Sequence, residues 1–364
     1  MYVKRLEILN YKNIEDLELQ FCDGINCLIG NNGVGKTNIL DSIYYLSFCK
    51  SYFGLPDSQN LRHGADYMGL HAYYGEEESE DVYVAYKKGQ KKKFKYKGEE
   101  YKKLSDHIGK LSVVMATPYD NNIISGGNEE RRKYMDGIIS QWDKQYLINL
   151  IKYNKAIQQR NAMLKANFID KELLEVWDVQ LSELGKSIHS KRCEFVEKIM
   201  PYFQKYYDII SGSQEKVSLE YVSQLNSETF ENLLIQSYSK DIAMQYTTVG
   251  THRDNLLFKL DEYPASKIAS QGQKKTYLTA MKLAQFDFIK NVSGKKSILI
   301  LDDIFDKLDA DRVEQIVRLV NDSNFGQIFI SDTNKDNIDN ILKDVGSGYK
   351  LFKINKGGIV DETI

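Results

Sequence analysis

The chain is short of cysteine, of long apolar runs and of net charge, and each shortage removes a class of protein. Its 364 residues hold 4 cysteines. Cys22, Cys27, Cys49 and Cys193 form no CxxC pair, and the first three lie in or beside apolar segments where a reduced thiol packs as a small hydrophobe. Neither a disulfide framework nor a zinc site is suggested. No apolar run approaches the roughly 20 residues that cross a bilayer. The opening Met1-Tyr2-Val3-Lys4-Arg5-Leu6-Glu7 lacks the continuous apolar stretch of a signal peptide. A cytoplasmic protein without a membrane partner is the expectation. The formal net charge is −2, so the molecule is no polycation and any nucleic-acid contact must come from local patches. No low-complexity linker or internal repeat appears. A content of 42% hydrophobic and 27% charged residues is ordinary for a soluble chain long enough for two or three cooperating lobes.

What is present begins with Gly30-Asn31-Asn32-Gly33-Val34-Gly35-Lys36-Thr37, a complete GxxxxGK[ST] phosphate loop. Ile25-Asn26-Cys27-Leu28-Ile29 supplies a strand before it, and residues 38–46 carry apolar side chains at helical spacing after it. The loop therefore lands at a helix N-terminus, where unpaired amides and the positive dipole end favour phosphate. A merely connecting glycine turn does not require Lys36 followed by Thr37.

Residues 2–111 read as a mixed α/β segment, with a further buried strand at 111–116 closed by Thr117-Pro118. From 128 to about 203 the pattern is helical and almost free of proline and glycine. Leu147, Leu150, Ile151 and Ile157 share one face; Leu173, Leu174, Trp177, Leu181, Leu184 and Ile188 form a second stripe running on toward Pro201. Two helices of roughly 30 residues, each about 45 Å long, with a break at 166–170, would make a packed lobe or a projecting antiparallel arm. After Ser211-Gly212-Ser213 the α/β character returns. The expected division is 1–115 and 236–364 as the two parts of one α/β unit, with 116–235 as the inserted helical lobe.

The segment Lys296-Ser297-Ile298-Leu299-Ile300-Leu301-Asp302-Asp303 is a continuous apolar run ending in two acids, the chemistry of a Walker B strand. A phosphate loop alone cannot hydrolyse ATP, because Mg²⁺ needs a second anchor and the attacking water needs orientation. Thr37 and Asp302 are the expected metal ligands, and Asp303 the expected general base or water-positioning group. Asp303 is one methylene shorter than glutamate, so slow turnover is expected.

Before that strand stands Ala269-Ser270-Gln271-Gly272-Gln273-Lys274, opening a strong helical pattern. It resembles the LSGGQ signature of ABC-type ATPases with glutamine for the first glycine, and Asp306-Lys307-Leu308-Asp309 resembles their D-loop. Walker motifs split around a helical insertion resemble the SMC-like branch of that superfamily. Asn10-Tyr11-Lys12-Asn13-Ile14, Glu129-Glu130-Arg131-Arg132 and Val249-Gly250-Thr251-His252-Arg253-Asp254 extend the resemblance over nearly the whole chain, and within the branch it is greatest to the RecF family of bacterial DNA replication and repair ATPases. The resemblance implies a P-loop ATPase head of ABC/SMC type assembled from N- and C-terminal segments, weak DNA-stimulated ATP hydrolysis and a part in recombinational repair and the SOS response. It implies Lys12 and Asn13 at the nucleotide, and a homodimer closed by ATP in which Ser270, Gln271, Gly272 and Gln273 of one copy complete the other's site, with Asp306 and Asp309 as D-loop. DNA, single-stranded or at a single–double-strand junction, and the mediators RecO and RecR are the implied partners. Three departures stand out: Thr251 replaces the usual proline, Asp306 the D-loop serine, and no switch histidine follows residues 327–330, where Thr333 is the remaining candidate. No glutamine at 115–120 offers a Q-loop. An ATP-gated scaffold without hydrolysis and a transporter nucleotide-binding subunit are the alternative readings.

For DNA, phosphate contacts should dominate affinity and make it salt-dependent. Residues 87–103 hold nine lysines interleaved with Phe94, Tyr96 and Tyr101 in a hairpin-like alternation. Lys91, Lys92 and Lys93 from this run, with Arg131, Arg132 and Arg253, are the candidate contacts. No base-reading motif is present.

Overall fold

The structure, a computed structural model, describes residues 2–166, 168, 170–212, 215–305, 310–320, 325–333, 348–356 and 358–363. β1 (Val3–Tyr11) and β2 (Ile14–Gln20) form a hairpin; β3 (Ile25–Ile29) leads into α1 (Lys36–Phe48) and the one-turn α2 (Asp57–Asn60). β4 (Tyr67–Tyr74), β5 (Glu80–Lys87), β6 (Lys93–Tyr96), β7 (Glu99–Glu100) and β8 (Val113–Ala116) follow. Next come α3 (Asn121–Ser125), α4 (Asn128–Trp142), α5 (Lys144–Leu164), α6 (Lys171–Ser211), β9 (Val217–Val222), α7 (Phe230–Met244), β10 (Asn255–Leu260), β11 (Tyr263–Pro264) and α8 (Ala265–Ile268). The chain closes with α9 (Gln271–Ser293), β12 (Ile298–Asp302), α10 (Ala310–Val320), β13 (Ile328–Asp332), β14 (Tyr349–Asn355) and β15 (Gly358–Thr363).

These elements form two compact units, one of residues 1–120, 206–213 and 271–364, the other of 121–205 and 214–270. Residues 236–270, expected from sequence in the C-terminal part of the head, belong to the second unit. The reason is strand pairing: β10 pairs with β9 across the helix α7, and β11 with β10, in one antiparallel sheet.

The first unit carries two six-stranded sheets, ordered β2-β1-β4-β5-β6-β7 and β15-β14-β3-β13-β12-β8. The former is antiparallel throughout; the latter is parallel except for β15. α1 touches β1, β4 and β5 of one and β8, β12 and β13 of the other. A helix with a sheet on either side has no solvent face, so ten of its thirteen residues are buried and apolar periodicity alone understates its burial. Gln327 stitches the sheets together: its Oε1 accepts from Val3 N at 2.8 Å, and its Nε2 donates to the carbonyls of Val3 and Cys22, each at 2.8 Å. A buried side-chain amide with all its polar atoms engaged here extends the main-chain ladder.

In the second unit the expected first long helix is two helices. Asp143 leaves helical geometry (φ −117, ψ 95), caps α5 by accepting from Tyr146 N at 2.8 Å, and so ends α4. The second is longer than expected: α6 runs 41 residues through Pro201, about 60 Å at 1.5 Å per residue. Buried Phe203, Tyr206, Tyr207 and Ile210 beyond the proline give the last turns a packing reason to stay helical. Up to residue 205 α6 packs within the second unit. A Cβ on Gly185 would lie 2.5 Å from the Phe230 ring of α7, Asn149 of α5 donates to Ser187 at 2.9 Å, and buried Arg160 of α5 pairs with Asp178 at 2.6 Å. Among the described residues no helix is long and apolar enough to cross a membrane, and none of the four cysteines is joined in a disulfide.

Candidate nucleotide site

The phosphate loop joins β3 to α1 in the arrangement its sequence requires. Gly33 and Gly35 stand at φ +80 and +115, conformations that side chains with a Cβ rarely adopt. A Cβ on Gly30 would come within 2.4 Å of the Ile354 carbonyl oxygen, because β14 runs beside β3. Asn31, Asn32 and Gly33 form the exposed crest, Val34 is half-buried, and Gly35 and Lys36 are buried at the helix start. The Lys36 ammonium donates to the carbonyls of Gly30 (2.6 Å) and Asn31 (3.2 Å), folding back over its own loop.

Sheet order carries the acids to this loop. β13 lies between β3 and β12, with Ser331 in register with Leu28 on one side and Asp302 on the other. Thr37 Oγ1 donates to Asp302 Oδ1 at 3.1 Å across 265 residues of sequence. Asp302 is 2% exposed. Burial pushes its pKa up to about 6; Asp303 adds to that shift, while hydrogen bonds from Ser331 and Thr37 and the charge of Lys36 oppose it. Asp303 stands just past the strand at φ +46.

Two further predicted residues extend from the β1–β2 turn, Asn13 to the loop and Lys12 to α1. Asn13 donates to the Gly33 carbonyl at 3.3 Å and accepts from Asn38 at 2.7 Å. Lys12 pairs at 2.6 Å with Asp41, a fully buried acid of α1 that also accepts from Tyr11 (2.7 Å), Ser51 (2.8 Å) and the Tyr52 amide (2.7 Å). Asp41 and Ser331 are the residues that sequence reading missed. The signal for Asp41 is a lone acid within an apolar helix, and for Ser331 a hydroxyl at the carboxyl end of a parallel strand, where ligand sites gather.

Gln271 opens α9, with Ser270 immediately before it and Gly272 and Gln273 in its first turn, as the signature pattern predicts. Asp306 and Asp309 lie outside the described residues, and Thr333 is exposed after β13.

The DNA candidates divide. Lys91 and Lys93 are exposed. Lys92 turns inward, donating to the Cys49 carbonyl (2.5 Å) and the Tyr45 hydroxyl (3.0 Å) and pairing with Asp57 (3.1 Å). Arg131 binds the carbonyls of Ile123 (3.1 Å) and Ile124 (2.9 Å) and the Asn255 amide oxygen (3.1 Å), and Arg132 the Asp254 carbonyl (2.7 Å). These three hold the fold, because carbonyls that end helices and turns need donors. Exposed Arg253 donates to the Thr247 carbonyl at 3.2 Å and lies over the Tyr246 ring. Its neighbours are structural: His252 bridges the Tyr153 hydroxyl (2.9 Å) and the Thr247 carbonyl (3.0 Å), and Asp254 pairs with buried Arg192 at 3.1 Å.

A phosphate loop closed against a Walker B acid through a parallel sheet, with an inserted helical unit, defines an ATPase head of ABC/SMC type. The RecF/RecN/SMC N terminal domain family model matches residues 2–354, and Smc head structures share the fold at TM-score 0.57 and 15% identity. The chain is 48% identical over 362 residues to the DNA replication and repair protein RecF of Bacteroides thetaiotaomicron, covering 99% of this chain and 98% of that protein. The corresponding Flavobacterium johnsoniae protein is 45% identical, covering 97% and 100%. A solved structure of the recombination mediator protein RecF-ATP in the RecFOR pathway matches at 30% identity and TM-score 0.88, covering 100% of this chain and 98% of that one. The chain belongs to the RecF family of DNA replication and repair proteins.

Proposed function

We propose that this chain binds ATP with Mg²⁺ between its phosphate loop and Asp302, closes as a homodimer on DNA, and reopens on slow hydrolysis. The carrying observation is the Thr37–Asp302 hydrogen bond, which joins the two halves of a phosphoryl-transfer site. The relative solved as RecF-ATP supports the nucleotide. The loop amides at the start of α1 and the Lys36 ammonium would hold the phosphates. Thr37 Oγ1 and Asp302 Oδ1 are both oxygen donors, the set that suits Mg²⁺; they would hold the ion, which would neutralise developing charge on the transferred group. Asp303 would orient the attacking water and accept its proton, and its short side chain fits slow turnover. Residues 270–273 would complete the site of a second copy, and exposed Lys91, Lys93 and Arg253 would contact DNA phosphates. Family membership supports RecO and RecR as protein partners.

The test is sedimentation with and without ATP, paired with titrations on single-stranded, duplex and gapped DNA at two salt concentrations. ATP should produce dimers and tighten DNA binding, and added salt should weaken it. Lys36→Arg should keep the fold and weaken the ATP-driven dimer; dimers of wild-type strength in that variant overturn the proposal.

A further inference from the structure

Ser331 is fully buried and sits where three functional segments meet. Its strand β13 is flanked by β3, which carries the phosphate loop, and β12, which carries the acids. Its hydroxyl donates to Asp302 Oδ1 at 2.6 Å and accepts from the Asp303 amide at 2.9 Å; Asp303 Oδ1 lies 3.4 Å away. One side chain thus engages both acids, using its single donor on one and a lone pair on the other. The Asp303 backbone needs that hold. At φ +46 it occupies the left-handed region, which is unfavourable for a non-glycine residue and persists only where surrounding contacts impose it. Alanine would serve the packing of a buried strand position equally well, so the hydroxyl answers to the acids.

We infer that Ser331 is a positioning residue for ATP hydrolysis: through the Asp303 amide it fixes the turn that aims the Asp303 carboxylate, and through Oδ1 it orients Asp302 toward Thr37. This rests on the hydrolytic reading above and adds to it the group that sets the direction of both acids. Binding of the phosphates falls to the loop and Lys36, which Ser331 does not touch in any described hydrogen bond. Removing the hydroxyl therefore separates turnover from binding.

The experiment compares Ser331→Ala, Ser331→Thr and Asp303→Asn for ATP turnover, ATP affinity and dimer formation with a slowly hydrolysed ATP analogue, together with hydrogen exchange at the Asp303 amide. Ser331→Ala should slow turnover by about 10- to 100-fold, the range for lost supporting contacts. Its ATP affinity and analogue-driven dimer should stay within about twofold of wild type, and the Asp303 amide should lose protection. Ser331→Thr, which restores the hydroxyl, should recover most of the rate. Should the alanine variant not fold, Ser331→Cys keeps the volume, weakens both hydrogen bonds and should show the same split. Unchanged turnover, or affinity falling in step with turnover, overturns the inference. If Asp303→Asn abolishes turnover while Ser331→Ala is silent, only the inference fails; if Asp303→Asn is silent, the hydrolytic role of Asp303 fails and the inference falls with it.

Discussion

The two ends of α1 each hold a lysine against backbone carbonyls, and for opposite reasons. At the N-terminal end Lys36 places a cation on the positive end of the helix dipole, where it opposes the intrinsic field and is useful only to an incoming anion. At the C-terminal end Lys92 reaches in from the basic hairpin to the carbonyl of Cys49, the residue that caps α1, where the dipole attracts it and Asp57 neutralises it. His107 docks at the same end, bonded to the Leu46 carbonyl at 2.7 Å and packed on Phe94 of the hairpin. One lysine is held in readiness for a ligand, and the other secures a sheet to a helix.

Removing each group should break that symmetry. Lys36→Ala should lower ATP turnover by about 100- to 1,000-fold, the scale of losing one preorganised charge-stabilising donor, while the melting temperature without nucleotide stays level or rises. A large loss of stability would show that Lys36 is structural after all.

Acid should attack the other end first. Burial lowers the His107 pKa to about 4, below its unfolded value near 6.5, so between those pH values the unfolded chain binds the extra proton. Stability is then present in full above pH 6.5 and falls as pH drops toward 4, by roughly 3 kcal/mol from this residue. His252, also lowered to about 4 by burial, adds the same sign in the second unit. Denaturant titrations at pH 7, 6 and 5 measure the slope, and His107→Gln should flatten it.

A smaller effect is expected at Lys92. Lys92→Met should cost about 1–3 kcal/mol by leaving buried acceptors unpaired, with little change in DNA affinity. Smallest in stability are Lys91→Ala and Lys93→Ala, exposed changes worth less than about 0.5 kcal/mol. If both contact phosphate, each should lower the salt dependence of DNA binding by about one charge. DNA affinity that tracks Lys92 and ignores Lys91 and Lys93 would reverse the assignment of the hairpin.

The same contrast explains which features could be read in advance. Residues 30–37 were legible because each position answers to a local demand: a positive φ at Gly33 and Gly35, and a cation and hydroxyl at the first helical residues. The apolar run ending at Asp302 was legible because a strand buried on both faces admits carboxylates only at its end. Lys92, Arg131 and Arg132 were not. A basic residue writes the same letter whether it faces solvent or a carbonyl, and only the chain packed beside it settles which. The break at Asp143 is a local N-cap on Tyr146, and the helix runs on through Pro201 because the residues just beyond it, from Phe203 to Ile210, find burial.

Sequence alone thus determined the chemistry of the nucleotide loop, the identity of its acids and the family, because these rest on residue types at short, rigid spacings. Tertiary structure decided that β13 would stand between β3 and β12, placing Thr37 against Asp302 and Ser331 between the acids. It also decided which cations of the hairpin and lobe would remain exposed. Strand order and side-chain direction are set by burial and hydrogen bonding between segments hundreds of residues apart, and no local pattern encodes them.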